Sequence, residues 1–130
     1  MADVTIALTE QVEWLQRRVD KVVLRSPRGN HLQRFGEPSF PVFEKGGASY
    51  SIDREEVITR YLDDLLTLDG KTPVDGGGSV FFGQLGLEDA LAVREALFSF
   101  FTDARRAILS KSLTRSSLTS KSSTSTPATP

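Results

Sequence analysis

The sequence has 130 residues, enough for one domain, with 38% hydrophobic residues, 25% charged residues and a formal net charge of −1. Cysteine is absent, which excludes disulfides, thiolate metal sites and cysteine nucleophiles. No apolar run approaches the roughly 20 residues of a membrane-spanning helix, and the first residues lack the features of a secretory signal. The expectation is an intracellular protein that has no membrane association and is stabilised by its core.

The N-terminal segment is predicted to form a β-hairpin. Apolar and polar or small residues alternate over 4–8, and a period of two is typical of a half-buried strand. A turn around 15–17 then leads to a second, β-branched strand over 19–25. We expect Trp14 to anchor this small sheet, because an isolated two-stranded hairpin is only marginally stable unless something packs on it.

A turn at 26–30 ends the second strand, because Pro27 has no amide hydrogen to donate to a ladder. A short helix is predicted next, with Asn30 as its N-cap. The following segment, 36–48, contains two prolines and three glycines. We expect it to be irregular and exposed, because these residues interrupt any regular period.

An amphipathic helix is predicted to begin at Asp53, which is placed to cap it, with Glu56 three residues later. It ends before Gly70. Its apolar face consists of residues that recur at helical spacing, namely Val57, Ile58, Tyr61, Leu62, Leu65 and Leu66.

A second helix is predicted from near Leu87 to about Leu109. The segment before it, 80–86, fits a strand, a buried helical turn or the first turn of a longer helix. The predicted helix has two adjoining apolar stripes along its surface. One stripe consists of Ala90, Val93, Leu97, Phe100, Ala104 and Ile108, and the other consists of Leu91, Phe98 and Phe101. This apolar surface is larger than one short neighbouring helix covers.

The composition changes after Leu109. Of the residues from Ser110 to Pro130, eight are serine and five are threonine, and none is aromatic or acidic. Such a segment buries too little apolar surface to offset its ordering entropy. The predicted fold class is therefore α+β, with an N-terminal β-hairpin and a small body of two or three helices over 1–109, and a disordered tail over 110–130.

Charge is segregated along the chain. Residues 17–34 carry six bases and one acid, whereas residues 37–75 carry nine acids and four bases. The candidate basic patch consists of Arg17, Arg18, Lys21, Arg25 and Arg28. It is a candidate nucleic-acid surface, but the acidic helix from Asp53 offers these bases an internal partner, so nucleic acid is the less favoured partner.

No set of residues with catalytic or metal-binding spacing is found, so we expect neither an enzyme nor a cofactor. His31 is the only histidine, and a structural or surface role is expected for it. Aromatic residues are the more informative signal, since five of the eight phenylalanines lie within 81–101. We expect at least half of them in the core and the surplus in a partner surface or a self-association face. The candidate partner-binding residues are Phe81, Phe82, Leu91, Leu97, Phe98 and Phe101.

Two short motifs carry a family resemblance. Leu24, Arg25, Pro27 and Gly29 form a strand end and turn, and Leu85, Leu87 and Asp89 lead into the aromatic helix. In these motifs and in its layout over 4–103, the sequence resembles the small tail assembly chaperones of long-tailed bacteriophages and prophages, especially the Mu-like and E-like group.

The resemblance implies a non-enzymatic role in the cytoplasm of a bacterial host. Such chaperones bind the tape-measure protein, keep its hydrophobic helices soluble, help to recruit tail-tube subunits and are absent from the finished virion. Many are also made in a longer, frameshifted form. The alternatives are a structural virion subunit of the tail or head–tail connector, and a small nucleic-acid-binding module that uses the basic segment.

Overall fold

The computed structural model describes the backbone of residues 2–125 and the side chains of residues 2–112. The chain divides into two units, Met1–Phe98 and Ser99–Pro130. The elements follow the order β1 (Val4–Trp14), β2 (Arg17–Leu24), α1 (Gly29–Phe35), β3 (Ser39–Phe43), β4 (Ser49–Asp53), α2 (Glu55–Leu65), β5 (Leu66–Thr67), α3 (Gly78–Phe82) and α4 (Leu87–Ser125). The predicted α+β class is confirmed.

The predicted N-terminal hairpin is confirmed and forms most of a three-stranded sheet in the order β1-β2-β5. All its pairs are antiparallel. The turn contains Leu15 and Gln16, which have φ of 49° and 66°. Positive φ at both central residues is the backbone twist that closes a two-residue hairpin, although Asn-Gly is the usual sequence for it.

The expected role of Trp14 is also confirmed. Its ring lies edge-on against Phe81 of α3 at 5.2 Å between centroids, and its Nε1 donates a hydrogen bond to the Asp75 carbonyl oxygen at 3.0 Å. Trp14 therefore joins the hairpin to the segment that leads into α3. Val22 and Leu24 of β2 are fully buried and belong to the same core.

The expectation of irregular chain over 36–48 is wrong for part of that segment. Strands β3 and β4 form a second antiparallel hairpin, with Phe40 opposite Ile52 and Val42 opposite Tyr50. Glycines 46 and 47 have φ of 95° and 91° and close the loop between the strands. Pro41 is compatible with this sheet because a two-stranded sheet has only edge strands.

Both predicted N-caps are displaced. Arg28, not Asn30, is the N-cap of α1, and Arg54, not Asp53, is the N-cap of α2. The Arg28 backbone N–H donates a hydrogen bond to Nδ1 of His31 at 3.0 Å, which gives the lone histidine the expected structural role.

The predicted apolar face of α2 is confirmed. Its members up to Leu65 are all buried. The helix ends at Leu65, earlier than predicted, so Leu66 belongs to β5, where it is also buried. Tyr61 is among the buried residues of α2, and its hydroxyl donates a hydrogen bond to the Gly36 carbonyl oxygen at 2.6 Å. Burial raises the pKa of the Tyr61 hydroxyl above its ordinary value.

The ambiguous segment before the last helix contains the short helix α3. Helix α4 begins at Leu87 as predicted, but it continues to Ser125 rather than ending near Leu109. No glycine or proline lies between Leu87 and Ser125 to interrupt it. The predicted disorder of 110–130 concerns a segment whose side chains are mostly outside the described residues, and whose last five residues are wholly outside them, so it stays a prediction.

Candidate partner-binding surface

The six predicted partner-binding residues have different degrees of exposure. Phe81 and Leu97 have 0% exposed surface and therefore belong to the core. Of the five phenylalanines in 81–101, only Phe81 and Phe100 are buried, which is fewer than the half or more that was expected. Phe82, Phe98 and Phe101 are half-buried, and Leu91 is 52% exposed. Four of the six residues thus keep surface that a partner is able to reach.

Apart from Phe82 in α3, the residues of this group that keep exposed surface within the first unit lie on helix α4. Leu87, Leu91 and Phe98 are spaced by four and seven residues, which places them in one row on the helix. Leu87 is 77% exposed. We call these three residues the α4 strip. Leu87 was not among the predicted site residues, although its spacing of four from Leu91 is visible in the sequence.

The opposite face of α4 explains why the strip points outward. Asp89, Val93 and Leu97 are buried, and they follow each other at intervals of four residues on that face. The same helix therefore has a buried row, which is apolar apart from the hydrogen-bonded Asp89, and an exposed apolar row. A helix with one partner normally has polar residues on its outer face, so the strip is unusual for a solvent-facing surface.

Arg94 borders the strip and is held by two acids. Its guanidinium Nη2 lies 3.0 Å from Oδ2 of Asp53 and 2.6 Å from Oε1 of Glu55, and its Cζ lies 5.6 Å from the centroid of the Phe98 ring. The hydrogen bond to Glu55, with a further contribution from Asp53, raises the pKa of Arg94 above its ordinary value. These contacts connect α4 to the end of β4 and to the first turn of α2.

The hairpin of β3 and β4 provides a second exposed apolar surface, which sequence reasoning missed. Phe40, Val42, Tyr50 and Ile52 occupy alternate positions in register and share one face of the two-stranded sheet. We call them the β3–β4 face. Three of them are large hydrophobic residues with substantial exposure, and Phe43 on the other face is 76% exposed. The signal was available in the sequence as period-two alternation on both sides of a Gly-Gly pair.

The candidate basic patch does not pair with the acidic helix. Among the residues whose side chains are described, Arg17, Arg18, Lys21, Arg25 and Arg28 form no salt bridge, so the expectation of an internal partner is wrong. Three of the four acids of α2, Glu55, Glu56 and Asp64, are instead paired to Arg94, Arg60 and Arg34. Arg17 and Arg18 are consecutive in β2 and so point to opposite faces of the sheet.

Arg25 and Arg28 border a shallow, mainly polar depression with a volume of about 410 Å³. At its edge the Ser26 backbone N–H donates a hydrogen bond to Oδ1 of Asp3 at 2.9 Å. Only two residues of the basic patch meet here, and Asp3 reduces the local positive charge.

No group of three or more acidic or histidine side chains within the described residues is placed to hold a metal ion. In the described part of the chain, no helix is long and apolar enough to cross a membrane. Comparison with protein-family models, with curated proteins and with solved structures gave no significant match.

Proposed function

We propose that this protein is a tail assembly chaperone of a long-tailed bacteriophage or prophage, without enzymatic activity. It binds hydrophobic helices of the tape-measure protein in the bacterial cytoplasm and keeps them soluble while the tail is assembled. Tail-tube subunits are a further partner under this proposal. The short motifs around Leu24 and Leu87 that resemble this family support it, and the exposed apolar surface of α4 gives it a physical basis.

The α4 strip is the observation that carries the proposal. Leu87 has most of its surface exposed to solvent and Leu91 has about half, although the opposite face of the same helix is packed. Burying a leucine side chain stabilises a complex by roughly 1.5 to 3 kcal/mol, so two or three such residues give a useful but reversible contribution. An amphipathic helix packs its own apolar residues against such a row at intervals of three and four. Reversible binding of this kind suits a chaperone that later releases its client.

Co-expression with a candidate tape-measure protein, followed by affinity purification, tests this function. We expect the client to be recovered in soluble complex with the wild-type chain, and the yield to fall at least five-fold with Leu91→Ser. The matched control is Leu32→Ser in α1, because Leu32 is 47% exposed and Leu91 is 52% exposed. No complex with the wild-type chain, or equal loss with both variants, would contradict the proposal.

Purified phage particles separate this proposal from the structural alternative. A chaperone is absent from the finished particle, whereas a tail or head–tail connector subunit is present in fixed stoichiometry. Quantitative mass spectrometry of particles and of the assembly intermediates therefore distinguishes the two. Recovery of this chain at a stoichiometric level in mature particles would favour the structural virion subunit.

Binding to nucleic acid is the second candidate, because all five basic-patch residues lack a salt bridge within the part of the chain whose side chains are described. Such a surface attracts phosphates, and its affinity falls steeply as salt concentration rises. Binding of labelled DNA or RNA that is lost in Arg17→Ala with Arg18→Ala would favour this candidate. The placement of these two arginines on opposite faces of β2 makes a single continuous phosphate track less favourable.

A further inference from the structure

We propose that the α4 strip selects an amphipathic helix whose apolar row is bordered by lysine or arginine side chains. This inference rests on the proposed function and specifies the chemistry of the client segment. It follows from the distribution of charge on the two sides of the strip, which lies entirely within the unit Met1–Phe98.

Glu88 and Glu95 border one side of the strip. They lie three residues before and four residues after Leu91, so both side chains lie next to it on the helix surface. Both are exposed, and neither has a basic partner within salt-bridge distance among the described side chains. Each therefore presents a free negative charge beside the apolar row.

The other side of the strip is also negative. Arg94 lies there, between Leu91 and Phe98, but its single positive charge is shared by the carboxylates of Asp53 and Glu55. The Glu55 and Asp53 side chains are 69% and 42% exposed. The two carboxylates and the one guanidinium together carry a net charge of about −1. The guanidinium of Arg94 is already paired, so it is not free to pair with an acidic client.

Charge on both sides of an apolar row sets specificity more than affinity. Opposite charges across an interface direct encounter and orientation, and like charges brought together cost several-fold to hundreds-fold in binding. Exposed pairs contribute only about 0 to 1 kcal/mol each, so the effect of three excess acids is visible as a difference between clients. Salt reduces that difference, because the Debye length falls from about 10 Å at 0.1 M to about 3 Å at 1 M.

Three synthetic peptides provide the test, each about 20 residues long so that it forms several helical turns. They share one apolar row of leucines and differ only at the bordering positions, which are all lysine, all glutamate or all glutamine. Binding of each fluorescent peptide to the full-length chain is measured by anisotropy at low and at high salt. We expect the lysine peptide to bind at least ten-fold more tightly than the glutamate peptide at low salt. At high salt this ratio falls to within about three-fold.

A double charge reversal identifies the responsible residues. In Glu88→Lys with Glu95→Lys, we expect the preference for the lysine peptide to disappear or invert. The matched control is Glu13→Lys with Asp20→Lys, which changes the net charge equally on the exposed surface of the first hairpin. The control keeps the preference of the wild-type chain, because its new charges are not next to the strip.

Each outcome decides the inference. Equal binding of the three peptides, or a preference that the control abolishes as fully as the Glu88 and Glu95 variant does, overturns the charge selection and leaves the proposed function standing. Absence of binding to all three overturns both. Sedimentation velocity of the chain without peptide measures its oligomeric state, and so tests whether a second copy of the chain binds the strip. A dimer that Leu91→Ser dissociates assigns the strip to self-association and overturns the inference.

Discussion

The carboxylate of Asp89 accepts a hydrogen bond from the backbone N–H of Thr9 at 2.8 Å, although the two residues are 80 positions apart. The Thr9 hydroxyl and the Glu10 N–H donate further bonds to the same carboxylate at 3.0 Å and 3.2 Å. These amides lie where the β1–β2 register shifts, between Ala7 and Val12, so the usual ladder does not satisfy them. Asp89 is 1% exposed and joins the first strand to the first turn of α4.

Replacement of Asp89 should therefore cost stability. Asp89→Ala removes three hydrogen bonds to a charged acceptor, and the backbone N–H groups of Thr9 and Glu10 lose this acceptor. We expect a loss of about 2 to 4 kcal/mol in the free energy of unfolding, measured by urea denaturation. Thr9→Val is the control, because it removes only the hydroxyl bond, and a loss of about 1 kcal/mol is expected. A loss below about 0.5 kcal/mol for Asp89→Ala would contradict this role.

The same bonds predict an acid-sensitive contribution to stability. The Thr9 N–H, followed by the Glu10 N–H and the Thr9 hydroxyl, lowers the pKa of Asp89 below its ordinary value of 3.8, against the opposing effect of burial. A lowered folded-state pKa means that the unfolded chain binds the proton more readily. The contribution of Asp89 is therefore complete above pH 3.8 and is lost as the pH falls through the lower folded-state pKa.

Urea denaturation at a series of pH values between about 6 and about 3 measures this effect. The wild-type chain should lose more stability over the acid part of this range than Asp89→Asn, which has no carboxylate to protonate at this position. Asp69, whose pKa is also lowered, chiefly by the Lys71 N–H, is present in both proteins and cancels in the comparison. Parallel pH profiles for the two proteins would contradict the prediction.

The turn of the first hairpin should be improved by substitution. Leu15 and Gln16 have positive φ, which costs free energy for residues with a side chain. Leu15→Asn with Gln16→Gly supplies the residues that this turn prefers. We expect a gain of about 0.5 to 2 kcal/mol, seen as a higher midpoint of thermal unfolding. Leu15→Ala serves as the control, since it removes the exposed leucine but keeps a residue with a side chain at positive φ. If Leu15→Ala stabilised the chain as much as the double variant, relief of the backbone conformation would not be the cause of the gain.

Gly78 is expected to tolerate no side chain. An added Cβ there would overlap the backbone carbonyl oxygen of Leu62 in α2 and would lie 3.2 Å from Cβ of Leu66. Gly78→Ala should therefore destabilise the fold by about 1 to 3 kcal/mol in urea denaturation. The control is Gly29→Ala, because an added Cβ at Gly29 meets nothing within 4 Å. Equal stability of the two variants would show that α3 shifts freely away from α2.

Local pattern was sufficient where one period dominated a segment. The alternation in β1, the buried face of α2 and the start of α4 at Leu87 follow from the spacing of apolar residues. The second hairpin was missed because its prolines and glycines were given more weight than the alternation of Phe40 with Val42 and of Tyr50 with Ile52. The N-caps were misplaced by one or two residues, since capping depends on the local backbone path as well as on residue type.

The pairing of charges needed the tertiary structure. The sequence shows a basic segment and an acidic segment, and proximity along the chain suggested that they pair with each other. In the fold, Arg94 comes from a distant helix to meet Asp53 and Glu55. Of the six bases in 17–34, only Arg34 pairs with an acid of α2 among the described side chains. Long-range contacts of this kind depend on how helices pack, which no local period encodes.

The sequence by itself determined the α+β class, the hairpin at the N-terminus and the surplus of apolar residues on the last helix, because hydrophobic periodicity acts locally. Only the tertiary structure decided which of those residues are exposed, since burial depends on what packs against each face. It placed Phe81 and Leu97 in the core and left Leu87 and Leu91 at the surface. It also placed acids on both sides of that strip, next to the apolar row.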